Sequence, residues 1–170
     1  MVRSTVVIHS ARRVGADDIV PDAWVCFDGD RVAATGIGAT WRDDLPTHAE
    51  IVDAAGRWLT PGFIDLHCHG GGGLSVEDGP EGIASLVDTH SAHGTTRSVC
   101  SLVSAPVEVL ASRLQAVADA AASDPRVLGA HLEGPFLDAH FRGAHDPAVL
   151  RDADAAAIDA LLHAANGTLV

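Results

Sequence analysis

Trp58-Leu59-Thr60-Pro61-Gly62-Phe63-Ile64-Asp65-Leu66-His67-Cys68-His69, followed by the four glycines Gly70 to Gly73, is the stretch on which the reading of this chain turns. Ile64, Leu66 and Cys68 alternate with Asp65, His67 and His69, and side chains two apart on a β-strand share a face. The alternation predicts a strand with one apolar face and one face carrying two imidazoles and a carboxylate. Pro61-Gly62 opens the strand and the glycine run closes it, so the polar face ends where the backbone turns into a loop. Enzymes built on a parallel βα barrel keep their chemistry at that end of the strands. Taken alone, His67-Cys68-His69 reads equally well as a half-exposed strand whose histidines meet water, and the rest of the chain has to decide.

Downstream the period changes. Asp78-Gly79-Pro80-Glu81 has the spacing of a capping box, and Ile83, Leu86, Val87 and His90 recur at helical intervals, predicting a helix over 80–93. Residues 95–103 read as a strand. Ser104-Ala105-Pro106 starts a second helix, striped by Val107, Leu110, Leu114, Val117 and Ala121 and broken at Asp124-Pro125. A third strand over 126–133, a third helix over 152–165 ending at Asn166-Gly167, and a new strand from Thr168 complete the pattern. This βα alternation is that of an α/β protein with a parallel sheet. The expected architecture is an incomplete (β/α)8 TIM-type barrel, its first three to four βα units lying in residues 58–170. Such a barrel needs at least about 200 residues, so the chain is expected to be the N-terminal part of a longer protein.

Residues 1–57 read as a small β-rich module. Strands are predicted at 5–8, 24–27 and 31–35, the last two joined in a hairpin by Asp28-Gly29-Asp30, with loops over 14–22 and 36–50.

A chain of 170 residues with 47% hydrophobic and 20% charged residues can bury a sizeable core. Its basic residues are all arginine, and the net charge of -12 makes a polyphosphate backbone a poor partner, so no nucleic acid is expected. The N-terminus lacks the apolar run of a signal peptide and no stretch of about 18 apolar residues occurs, so no membrane is expected and the cytoplasm is the default location. Cys26, Cys68 and Cys100 are odd in number and widely spaced, which suits reduced packing residues.

The third predicted strand repeats the design of the first. In Val127-Leu128-Gly129-Ala130-His131-Leu132-Glu133-Gly134-Pro135-Phe136, Leu128, Ala130 and Leu132 share one face while Gly129, His131 and Glu133 share the other. Packing alone would fill the inward face of a barrel with Val, Ile and Leu. Ionisable groups placed there cost several kcal/mol unless paired or bound to metal. A shared site of His67, His69 and Glu133 follows, with ligand atoms suited to Zn²⁺ or another divalent transition metal.

Pro61-Gly62-Phe63-Ile64-Asp65-Leu66-His67-Cys68-His69-Gly70 resembles the first-strand signature of the amidohydrolase superfamily. His131-Leu132-Glu133-Gly134-Pro135-Phe136 with Arg142-Gly143-Ala144-His145 resembles the N-acetylglucosamine-6-phosphate deacetylases in particular. The resemblance implies metal-dependent hydrolysis of the acetamide of N-acetylglucosamine-6-phosphate to acetate and glucosamine-6-phosphate, and a homodimer at full length. It implies that Glu133 is a metal ligand, that His67 and His69 are the paired histidines of members with a second metal, and that one or two ions are bound. Ala144 and His145 fall where the family contacts the amino sugar. Asp65 and His131 are read as side chains that orient the ligands. The resemblance puts further metal histidines and the proton-shuttle aspartate beyond Val170, so no catalytic residue is expected in this chain, which alone would hold metal weakly and turn over nothing. It also implies that the β-rich opening joins late strands in a composite β-sandwich. His90 and His93, near a predicted helix C-terminus, suit the helix dipole. Gly70 to Gly73 read as a flexible loop that lets substrate approach. Another metal-dependent amidohydrolase, acting on a cyclic amide or a dipeptide, and a non-catalytic metal- or partner-binding module are the alternatives.

Overall fold

A computed structural model describes residues 4–43 and 48–170. They form two compact units, Met1–Pro61 and Gly62–Val170.

In the first unit, β1 (Thr5–Val14), β2 (Ile19–Asp28), β3 (Arg31–Ile37), β4 (Glu50–Asp53) and β5 (Trp58–Leu59) make one sheet in the order β3-β2-β1-β4, with β5 also beside β1. The predicted hairpin is β2–β3, closed by Gly29 at φ 61°. Much of the predicted 14–22 loop is strand instead, because Ile19 and Val20 pair with Val14 and Arg13 across an irregular ladder in which Ser10 and Asp22 take positive φ. That irregularity breaks the alternation by which a strand is read. β4 is a strand the sequence does not announce, only its first residue, Glu50, falling in the expected 36–50 loop; it runs parallel to β1 through main-chain pairing while its side chains stay exposed. Residues 44–47 of the predicted 36–50 loop lie outside the described residues. His9 stacks on buried Trp41, ring centroids 4.6 Å apart.

The second unit has a parallel sheet of β6 (Phe63–Cys68), β9 (Thr95–Leu102) and β10 (Val127–Leu132) in the order β10-β9-β6. Helices α1 (Pro80–Ser91), α2 (Val107–Ser123) and α3 (Ala155–Ala165) accompany it. Leu169 bridges in parallel to Ala130, extending the order beyond β10. Leu86, Leu102, Leu110, Leu114 and Leu161 are fully buried together with Cys100 and Ala130. The apolar stripes of the helices thus meet the apolar face of β9 and β10.

Three details differ from expectation. The capping box is not at 78–81: Ser75 caps a short turn, Val76–Asp78, with Asp78 Oδ2 accepting from Ser75 N at 2.8 Å. Gly79, at φ 80°, then separates that turn from α1, so the Asp78 carboxylate is already engaged when the helix begins. Second, Gly70 to Gly73 are not a loose loop. β7 (Gly70–Gly71) pairs with β8 (Leu74–Ser75), and Gly72 and Gly73 supply the two positive φ values, 63° and 88°, that a two-residue hairpin turn requires. Third, Ile64 and Leu66 do not pack beneath helices. They stay 56% and 69% exposed on the edge strand β6, and only Cys68 joins the core.

Candidate metal centre

β6 and β10 flank β9, and their C-terminal ends bring His67, His69 and Glu133 together. Their candidate ligand atoms all lie within 4.8 Å of one another. His67 Nε2 is 3.2 Å from Glu133 Oε1, His69 Nε2 is 3.3 Å from Glu133 Oε2, and the two Nε2 atoms are 3.0 Å apart. His69 Nδ1 sits 3.0 Å from the carbonyl oxygen of Ser101. A carbonyl only accepts, so His69 donates its Nδ1–H, and Nε2 of the neutral ring carries a bare lone pair. That lone pair faces a carboxylate, which is also an acceptor, and His67 Nε2; a cation between the three atoms satisfies all of them, where a proton on His67 Nε2 serves one at a time. Tetrahedral coordination with bonds of about 2.0–2.1 Å to nitrogen or oxygen puts ligand atoms about 3.3–3.4 Å apart. The observed edges of 3.0, 3.2 and 3.3 Å fit a divalent ion with little adjustment.

Asp65 does not share this face. Its Oδ1 accepts from the His67 main-chain N–H at 3.1 Å, and its carboxylate gathers with Cys68 Sγ and His90 instead. The β6–β9 register slips between Asp65 and Cys68, which breaks the two-residue alternation that would have aligned Asp65, His67 and His69. His131 lies beside the cluster, its ring 5.1 Å from that of His67, and Nδ1 is 3.1 Å from Ser101 Oγ. Ser101 therefore holds both imidazoles, one by its carbonyl and one by its hydroxyl, from a fully buried position. Sequence reasoning passed over it; a lone serine in an otherwise apolar strand end was the available signal.

His145 reaches the same carboxylate from the loop after β10, with Nε2 3.7 Å from Glu133 Oε2. Ser104 N donates to its Nδ1 at 3.4 Å, and Arg142 donates to its main-chain oxygen at 2.6 Å. The neutral ring then carries its proton on Nε2, opposite to His69. Ala144 and His145 line a cavity of about 470 Å³ whose wall includes Glu133, Ser104 and Arg142.

The chain resembles known proteins across this site. It is 39% identical over 116 residues to the N-acetylglucosamine-6-phosphate deacetylase of Mus musculus, a match covering 65% of this chain and 28% of that protein. The structure of the Mycobacterium smegmatis N-acetyl-D-glucosamine-6-phosphate deacetylase in complex with N-acetyl-D-glucosamine-6-phosphate superposes with a TM-score of 0.84 at 34% identity, covering 98% of this chain and 42% of that one. The chain is a homologue of the N-acetylglucosamine-6-phosphate deacetylases. It is also 36% identical over 118 residues to an N-acetylgalactosamine-6-phosphate deacetylase of a Shewanella species, over 68% of this chain and 29% of that protein. The chain spans less than a third of the length of these curated relatives. No protein-family profile matches it. No helix among the described residues is long and apolar enough to cross a membrane.

Proposed function

We propose that this chain is the metal-ligating portion of a deacetylase that hydrolyses the acetamide of N-acetylglucosamine-6-phosphate, giving acetate and glucosamine-6-phosphate. The convergence of His67, His69 and Glu133 at 3.0 to 3.3 Å carries the reading. These three residues would hold a divalent ion, Zn²⁺ by the chemistry of two imidazoles and one carboxylate. Such an ion polarises a carbonyl and lowers the pKa of bound water towards neutrality. Glu133 and His69 supply charge and a bare nitrogen, His145 offers an Nε2–H beside the carboxylate, and the cavity behind Ala144 and His145 receives the sugar. The parallel order β6, β9, β10 and then Leu169 supports a (β/α)8 barrel begun within Gly62–Val170; the expected boundary at residue 58 moves to Pro61, because Trp58–Leu59 pairs with β1 in the β-rich first unit.

The Shewanella relative favours a second reading in which the sugar is N-acetylgalactosamine-6-phosphate, an epimer carrying the same acetamide and phosphate. Acetate release from both sugars should be measured on the 170 residues alone and on the chain joined to the C-terminal remainder that its relatives possess. The longer protein is expected to release acetate from at least one sugar, and the 170 residues from neither. Cleavage of a cyclic imide or a dipeptide in place of both sugars would overturn the reading.

A further inference from the structure

Behind the imidazole pair, a second group of ligand-type side chains shares no member with the first. Asp65 and Cys68 of β6 and His90 in the last turn of α1 place a carboxylate oxygen, a sulfur and an imidazole nitrogen within 4.8 Å of one another. Cys68 Sγ and His90 Nε2 are 3.2 Å apart. The Gly70 carbonyl oxygen is 3.4 Å from the sulfur and 3.1 Å from the nitrogen, a fourth donor atom on the same spot. The register slip that turns Asp65 away from His67 and His69 is what creates this group.

We propose that Asp65, Cys68 and His90, with the Gly70 carbonyl, form a second cation site, selective for thiophilic divalent ions such as Zn²⁺ or Cd²⁺. Thiolate and carboxylate supply two negative charges, which balance a divalent ion with a neutral imidazole and carbonyl completing the set. Sulfur, nitrogen and oxygen together are a borderline-soft donor set, and Mg²⁺ or Ca²⁺ prefer oxygen alone. Without an ion, thiol and imidazole both point their hydrogens at the Gly70 carbonyl. Binding replaces those hydrogen bonds: the thiol releases one proton to solvent, and the imidazole carries its remaining proton on Nδ1 and turns the Nε2 lone pair to the metal. The β7–β8 pairing fixes the Gly70 backbone, and Ser85 Oγ of α1 donates to the Gly71 oxygen at 2.8 Å, tying the helix to that hairpin.

The test is a Cd²⁺ titration of the 170-residue chain in a Cys26→Ser background, followed by the ultraviolet thiolate-to-cadmium charge-transfer band. The first site contains no sulfur and gives no such band. One thiolate's worth of absorbance and release of one proton per bound ion are expected. The band should persist in the His67→Asn/His69→Asn double variant, vanish in Cys68→Ser, and need at least about tenfold more Cd²⁺ in His90→Gln. Absence of the band in the Cys26→Ser chain would overturn the proposal without recourse to any further variant. An unchanged titration in a folded His90→Gln chain, checked by circular dichroism, would overturn it too, since His90 would then be no ligand, and so would a band that survives Cys68→Ser, since Cys100 would then supply the thiolate.

Discussion

The main-chain oxygen of Ser101 holds His69 Nδ1 at 3.0 Å, and that one contact decides which nitrogen of His69 faces Glu133. Because the contact is to the backbone, no side-chain change at position 101 removes it. The Ser101 hydroxyl, itself fully buried, has a separate partner in the half-buried His131, Nδ1 at 3.1 Å. Ser101→Ala should leave His69 in register and strip the half-buried His131 of its partner, at a cost of about 0.5–1.5 kcal/mol for the lost hydrogen bond. Urea denaturation with the metal removed measures it; an unchanged midpoint would show that His131 finds another partner.

Glu133 is the sole carboxylate of the cluster and contacts both imidazoles. Glu133→Ala removes the charge that balances a bound cation, while His67 and His69 remain. Measured in a Cys68→Ser background, which removes the second site, zinc retained after dialysis against buffered metal should fall at least about tenfold relative to the Cys68→Ser parent, a loss of about 1.4 kcal/mol or more in binding. Retention of full zinc content would move the first site away from β10.

Gly129 follows an irregularity in the β9–β10 pairing, and a Cβ there would run into the carbonyl oxygen of Thr168. That oxygen accepts from Ala130 N at 2.8 Å, and Val170 N donates to Ala130 O at 3.0 Å. Gly129→Ala, at φ 149°, should therefore cost about 1–3 kcal/mol in backbone strain and loosen the segment that follows α3. Hydrogen exchange at the Ala130 and Val170 amides reads this directly, and unaltered protection of both would contradict the packing described.

Asp124 ends α2 and grips Arg126, which donates to it through Nε at 3.0 Å and Nη2 at 2.7 Å. Those side-chain bonds hold its carboxyl below the ordinary value of 3.8. A depressed native pKa contributes stability that is fully present above the unfolded-state pKa and is lost as pH falls through the native one. The stability gap between the parent and Asp124→Asn should thus be widest near neutrality and close as pH drops below 3.8. Thermal midpoints of both proteins across that range give the answer; a gap independent of pH would assign the effect to helix capping alone.

The imidazole pair and Glu133 were legible because each departs from what packing asks of an inward strand position. The departure of Asp65 from that face was not, since it arises from a slip of β6 against β9, a property of two strands that neither sequence carries by itself. Ser101 acts on His69 through a carbonyl that every residue possesses, so residue type could announce only its hydroxyl contact with His131. The glycine run was read as freedom, whereas paired strands on either side convert two of its residues into a fixed turn. In the first unit, β4 escaped notice because its contribution is main-chain pairing and its side chains, Ile51 and Val52 included, remain exposed.

The central place of β9 has a kinetic meaning. His67 and Glu133 come from strands that never touch each other, joined through a strand that supplies Ser101 between them. The ligand set cannot assemble locally: α1, β9 and α2 must be threaded and docked before Glu133 arrives, and loop closure over that span is slow relative to helix formation. Acquisition of the ion is thus a late event in folding. Chelation during refolding should leave the early collapse unaffected and alter only the final phase, so that the metal acts as a latch on a finished sheet and not as a seed for it.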